Sequence, residues 1–245
     1  MNKNKFVSWL IPVSHGELSL ARCLDSIQCQ TYTNWEAIVV FNNLNNKNEY
    51  SEIIKLFKDD NRFRFYFNHE KGITKALNYG LKFTKGEFIA RLDADDFAVK
   101  DRLKKQISYS SFDFIFSNVI FINEKEKIIG KSKISSNYLF KYSYTNEIPH
   151  PSILIRKEIL ISVGGYDGYE VCQDLRTWEK LIKKRCKFYL INEYLTYTTI
   201  RKKRITGSKE SRFQAAKFYL KKFKSDKNPL SYIAYIRNIY KYYIK

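Results

Sequence analysis

The sequence is short of several things, and each shortage closes a route. Four cysteines (Cys23, Cys29, Cys172, Cys186) form no C-x-x-C pair, and only three histidines accompany them. That set suits neither a disulfide framework nor a structural zinc site, and reads as reduced thiols in or near a core. No apolar run in the chain reaches the ~18–20 residues a membrane-spanning helix needs. The apolar stretch Val7–Val13 is strand-length, holds Pro12 and lacks a small-residue cleavage site. It is therefore not read as a signal peptide, and residence in the cytoplasm is the expectation. Neither an internal repeat nor a low-complexity linker is visible. Acid is the scarce charge: 25 Asp and Glu stand against 44 Lys and Arg, for a formal +19.

The excess is concentrated. From Arg201 to Lys245 there are fourteen Lys/Arg against Glu210 and Asp226, so that tail carries +12. Such an end seeks an anionic partner or is a solvated lysine-rich surface. Between Phe213 and Tyr243 it interleaves lysines with Phe218, Tyr219, Phe223, Tyr232, Tyr235 and Tyr240. This pattern suits a helix lying on an anionic membrane, or one packed on the domain with its lysines in water. Nucleic acid is not expected as a partner: no helix-turn-helix, zinc-finger or single-strand-binding signature accompanies the charge.

In 245 residues, 44% of them hydrophobic, there is material for one α/β domain with a short appendage. Apolar runs at Val7–Val13, Ala37–Phe41, Phe63–Phe67 and Phe88–Leu92 alternate with helical patterns, the last of these at Thr74–Phe83 with Gly86 as its C-cap. That rhythm predicts a largely parallel sheet with helices on both faces, and ligands beyond the strands' carboxyl ends. Further on, Phe112–Ile122 reads as a strand or strand pair, Asn123–Ser136 as a polar connection, His150–Ile155 as a strand and Asp174–Lys184 as a helix.

Asn42–Asn46 and Asp93-Ala94-Asp95-Asp96 both fall at strand ends and should border one crevice. Asp93 and Asp95, two apart, are expected to point the same way. Convergent carboxylates repel unless a cation joins them, and hard oxygen ligands favour Mg²⁺ or Mn²⁺. Such an ion would clamp a diphosphate leaving group. An isolated D-x-D is common in surface loops; its place after an apolar strand is what raises its weight.

The ordered set VSWLIPVSHGELSLARCLDSIQCQTYTNWEAIVV, GI–ALNYGL, KGEFIARLDADD, HPSILIR, GGYDGYE and QDLRTWEKLI resembles family 2 glycosyltransferases across roughly residues 6–200. The resemblance implies the GT-A fold: a Rossmann-like, mostly parallel sheet with helices on both faces, here followed by a helical basic tail. Residues 1–205 would form the catalytic domain, with a nucleotide-binding half at 1–100 and an acceptor half at 101–205, and 206–245 the tail. It implies an inverting transfer of a hexosyl or N-acetylhexosaminyl group from a nucleotide-diphosphate sugar to a glycan or lipid-linked acceptor, in lipopolysaccharide, lipooligosaccharide or capsule synthesis. By position, Asp95 corresponds to the metal ligand, Asp93 to its partner near ribose and sugar, and Asp174 to the catalytic base; capping the helix that follows is compatible with that role for Asp174. Pro12, Ser14, Asn42, Asn78 and Ala94 fall along the nucleotide-sugar site, with Lys75 as a weaker candidate. His150 and Gln173 lie on the acceptor side. Arg201, Lys202, Lys203 and Arg204 would fold over the diphosphate or begin the tail.

Two departures stand out. Phe41-Asn42 replaces the pair of acids that commonly follows the second strand, so Asn42 would meet the base through a neutral carbonyl; a uridine nucleotide is favoured but less firmly. Gln173 replaces the acid before the base. Two other readings use the same acidic cluster: an inactive scaffold, kept open by Asn42, and a nucleotidyltransferase, for which Val13–Glu17 is a poor phosphate loop. On the membrane reading the tail would hold the enzyme on the inner face of the cytoplasmic membrane; on the other it packs against the catalytic domain.

Overall fold

The computed structural model describes residues 4–14, 17–42, 47–142, 145–167, 172–201 and 208–244. The amino-terminal half alternates β1 (Val7–Val13), α1 (Glu17–Gln28), β2 (Trp35–Phe41), α2 (Lys47–Phe57), β3 (Phe63–Phe67), α3 (Ile73–Leu81) and β4 (Phe88–Arg91). β5 (Phe97–Ala98), α4 (Arg102–Ile107), β6 (Phe114–Ile122), β7 (Ile128–Lys131) and α5 (Tyr138–Lys141) follow. Then come a 3-10 turn (His150–Ser152), β8 (Leu154–Arg156), α6 (Lys157–Ser162), α7 (Gln173–Lys183) and β9 (Phe188–Thr199). Two helices close the chain, α8 (Lys209–Asp226) and α9 (Pro229–Ile244).

The strands join one sheet in the order β3-β2-β1-β4-β8-β6-β9-β5, with β7 paired to β6. β3, β2, β1 and β4 run parallel, β8 is antiparallel to β4, and β9 is parallel to β6. Every residue of β1, β2 and β4 is buried, the mark of strands covered on both faces. Alternation along β1 divides two cores. Val7, Trp9, Ile11 and Val13 face α1 and α2, whereas Leu10 joins the core built with α3, α6, α7 and α8. Pro12 lies beyond the last β1 residue paired with β4, where its missing N–H interrupts no ladder on that side.

Four local expectations are corrected. Gly86 is not the cap of α3, which ends at Lys82 in right-handed conformation. Its lack of a side chain serves packing: a Cβ there would sit 2.4 Å from the Ser8 backbone nitrogen. Residues 123–136, expected as a polar connection, contain β7, which pairs with the end of β6. His150–Ser152 turns as 3-10 helix before the strand begins at Leu154. The tail is two helices rather than one, broken by a left-handed Lys227 just before Pro229, since proline can open a helix but not continue one. Phe218, Tyr219 and Ala234 of these helices are buried in the second core.

Candidate active site

β1 is flanked by β2 on one side and β4 on the other, which makes its carboxyl end the point where strand order reverses and a crevice opens. Asn42 leaves β2 there, its N–H on the Val13 carbonyl at 2.9 Å. The Asn42 side chain is buried, and its Oδ1 has no partner among the described residues. Residues 43–46, expected on the same rim, lie outside the described residues. Ser14 follows β1 and is half-buried.

On the other flank, β4 stops at Arg91 and Asp93–Asp96 forms a turn, closed by the Asp96 N–H on the Asp93 carbonyl at 3.0 Å. Strand alternation therefore does not aim Asp93 and Asp95; the turn and two arginines do. Arg91, wholly buried, holds Asp93 Oδ1 at 2.5 Å. Arg201, just past β9, holds Asp95 Oδ2 at 2.8 Å. Asp95 is anchored through its carbonyl, which accepts from Arg22 at 2.8 Å and from the Thr199 hydroxyl at 2.5 Å. Burial, then the charge of Asp93, raises the proton affinity of Asp95. Asp96 faces inward, accepts from the Thr199 N–H at 2.7 Å and is raised strongly by burial. Ala94 is nearly buried between its acidic neighbours.

Asp93 and Asp95, two carboxylates crowded on one turn, are a hard-oxygen donor set that fits Mg²⁺ or Mn²⁺. Among the described residues no third His, Cys, Asp or Glu completes a cluster, so phosphate oxygens and water would supply the other positions, as magnesium sites commonly arrange. Binding would require Arg201 to release Asp95.

Asp174 enters from α7. Cys172 adopts a left-handed conformation (φ 59°) immediately before the helix, a strain of roughly 1–2 kcal/mol for a non-glycine residue. Its thiol points to the Ser211 carbonyl at 3.3 Å, and burial pushes it up to about 12. Asp174 Oδ2 accepts from Asn146 Nδ2 at 2.9 Å, and Asn146 Oδ1 accepts from the Ile148 N–H at 3.1 Å. Burial raises the Asp174 carboxyl, and the negative charge of Asp93 adds to that rise. The two ends of the crevice therefore lie within electrostatic reach of each other. Asn146 was not anticipated; a lone Asn in a polar stretch carries no periodic signal.

Behind Asp93 sits a polar wall. His150 packs on Tyr166 and Trp178, with ring centroids 5.4 and 5.5 Å away. Burial and the neighbouring Arg91 charge hold its imidazole well below the usual range, hence neutral. His150 Nε2, Tyr166 Oη, Trp178 Nε1 and Arg91 Nε and Nη1 are all buried without partners among the described residues. Buried polar groups are rarely left so, and such a cluster marks a place for water or ligand hydroxyls. Asn78, expected at the nucleotide, is instead committed to structure: its Nδ2 donates to the Tyr166 carbonyl at 2.8 Å and its Oδ1 accepts the Tyr166 N–H at 2.9 Å. Lys75 pairs with Glu70 at 2.9 Å. Gln173 is buried as the first residue of α7. Lys202, Lys203 and Arg204 lie outside the described residues, as does 168–171 of the GGYDGYE segment.

A mostly parallel sheet with helices on its faces and an acidic turn after the strand beside β1 is the architecture of the GT-A class of sugar-nucleotide enzyme. The model of "Glycosyl transferase family 2" matches residues 8–163, and the chain belongs to that family. It is 31% identical over 190 residues to an uncharacterized glycosyltransferase of Methanocaldococcus jannaschii, covering 73% of this chain and 65% of that one. It is 26% identical over 233 residues to the O-antigen biosynthesis glycosyltransferase WbnJ of Escherichia coli, covering 91% and 90%. Two rickettsial glycosyltransferases are matched over only 22% and 21% of their own lengths. Among solved structures, S. aureus TarS 1-349 in complex with UDP-GlcNAc superposes with a TM-score of 0.71 at 17% identity, covering 90% of this chain and 67% of that one. The mannosyltransferase PcManGT of Pyrobaculum calidifontis, in complex with GDP-Man and Mn²⁺, gives 0.69 at 15% identity, covering 97% and 72%. At those identities the likeness speaks for the fold, and it confirms the mostly parallel sheet with helices on its faces.

Proposed function

We propose that this chain is an inverting glycosyltransferase that moves a hexosyl or N-acetylhexosaminyl group from a nucleotide-diphosphate sugar to a hydroxyl of a glycan or lipid-linked glycan, in the synthesis of a surface polysaccharide. The observation that carries the reading is Asp174: a carboxylate of raised proton affinity, gripped by Asn146 and within electrostatic reach of Asp93. An acceptor hydroxyl is a poor acid, and a carboxylate whose proton affinity has been raised by burial takes its proton more readily as the new bond forms. Attack from the Asp174 side, with the diphosphate departing on the side of Asp93 and Asp95, inverts the anomeric centre in one displacement.

Mn²⁺ or Mg²⁺ held by Asp95 and Asp93 would neutralise charge on the leaving diphosphate. Arg201, displaced from Asp95, stays beside the same phosphates as an electrostatic partner. Asn42 Oδ1, a buried acceptor with no partner, suits the imide N–H of uracil, so a UDP-sugar is the favoured donor. Pro12 and Ser14 would border that base and ribose. The unpartnered polar atoms around His150 would receive sugar hydroxyls, with Gln173 toward the acceptor. The site is assigned to the cytoplasm, with a lipid-linked acceptor presented at the inner membrane face.

The test is a panel of nucleotide sugars with Mn²⁺ and a lipid-linked glycan acceptor, reading nucleotide release and the anomeric configuration of the product. Asp174→Asn should retain donor binding by calorimetry and lose at least about a hundredfold in transfer, the lower range expected for a general base. Unchanged turnover in that variant would remove Asp174 from the reaction, and a retained configuration would remove the single displacement.

A further inference from the structure

α9 is amphipathic the wrong way round for a helix that merely covers a domain. At 100° per residue, Tyr232, Tyr243, Ile236, Tyr240 and Ile233 occupy an arc of about 100°, and all of them are exposed, from 44% to 75%. The opposite arc is the one turned inward. There Ser231 and Ala234 are buried, Tyr235 packs on the core, and Tyr242 lies against Phe213 of α8 at 5.4 Å. The inner face combines small residues with two tyrosines, and the solvent face carries two isoleucines and three tyrosines that packing leaves uncovered. Arg237 borders the outer arc, about 40° past Ile233, Lys241 lies further round beside the inner one, and α9 contains no acidic residue.

We propose that this outer face of α9 is a docking surface for an anionic lipid bilayer. Tyrosine and isoleucine side chains in one such arc enter the headgroup boundary while flanking cations meet lipid phosphates. Charge complementarity selects this occupant. The chain from Arg201 onward carries +12, which disfavours a second copy against the same face and favours an anionic plane. No helix among the described residues is long and apolar enough to cross a membrane, so the attachment is in-plane.

The attachment also orients the crevice. Arg212 at the start of α8 donates to the Lys241 carbonyl at 2.7 Å, and Ser211 beside it accepts from Cys172, which precedes the helix carrying Asp174. The Tyr240–Tyr243 end of α9 thus lies on the Asp174 side of the crevice, where an acceptor would approach. The proposal does not depend on the transferase reading, because lipid binding is measured without donor or acceptor.

The full chain should co-sediment with phosphatidylcholine vesicles containing phosphatidylglycerol, and much less with phosphatidylcholine alone. Ile236→Ser combined with Tyr240→Ser should lower partitioning by about tenfold, and Arg237→Glu by roughly fivefold or more. These side chains face solvent, so the thermal midpoint should match the parent; Ile233→Ser provides a second, single variant of the same face. The proposal fails if no vesicle retains the chain at low salt. It fails equally if the Ile236/Tyr240 variant partitions like the parent, which would leave diffuse lysine charge as the whole cause. A lipid-free dimer on gel filtration, abolished by the same substitutions, would assign the face to a second copy instead.

Discussion

Replacing Asn146 by alanine tests whether Asp174 acts as a base through a tuned carboxyl. The amide donates to Asp174 Oδ2 at 2.9 Å and lowers its proton affinity against the larger rise caused by burial. A hydrogen bond to a charged acceptor is worth about 1.5–3 kcal/mol, and water reaching the half-buried carboxylate recovers part of it. Roughly 1.4 kcal/mol corresponds to one pH unit, so the acid limb of kcat/KM against pH should move up by about one unit. The sign is fixed by the chemistry: the base works ionised, so activity falls as pH drops through its pKa, and a higher pKa loses activity sooner. The variant should lose about tenfold at the acid end and almost nothing on the alkaline plateau. Asn146→Asp keeps the acceptor for the Ile148 N–H but sets a second negative charge against Asp174, so its limb should move further than that of the alanine variant. A limb that stays where it is, or a loss equal at every pH, would refute the reasoning and leave Asn146 as a loop-building residue only.

Two more predictions follow from single contacts. Arg201→Ala removes the cation now held by Asp95, a partly exposed pair worth about 0.5–1 kcal/mol. Calorimetry with Mn²⁺ alone should then show affinity raised about two- to fivefold, while UDP binds more weakly; a fall in Mn²⁺ affinity would show that Arg201 does not compete for the site. Gly86→Ala drives a methyl to 2.4 Å from the Ser8 nitrogen and 2.8 Å from the Val7 carbonyl carbon. It should cost about 1–3 kcal/mol, read as a lowered thermal midpoint, and an unchanged melt would mean that β1 and the turn before β4 are not so tightly apposed.

The amino-terminal half was legible because its signals are local and repeated. Val7–Val13 is apolar throughout because parallel neighbours and helices bury both faces, and the structure returns the strand with those bounds. Phe63–Phe67 is recovered residue for residue as well. β7 was hidden because an edge strand that leaves Ile128 and Ile129 exposed carries no apolar alternation to read. β5, two residues long, is defined only by its pairing with β9. Asn78 shows the limit for single residues: one polar side chain on a helix suits ligand, solvent or backbone alike, and only Tyr166, 88 positions away, decided for backbone.

Local pattern therefore determined the alternation of strands and helices in the amino-terminal half, the acidic turn after β4, and the accumulation of positive charge in the last 45 residues. Each depends on neighbours in the chain: period, punctuation and composition. The tertiary structure alone decided what each carboxylate meets. It paired Asp93 with Arg91 and Asp95 with Arg201, gave Asp174 an amide from a different segment, and turned the apolar face of α9 outward. Those outcomes are pairings across long sequence separations, or choices of which helix face to bury. Hydrogen bonds and burial are settled by what lies opposite in space, and nothing in the order of residues records that.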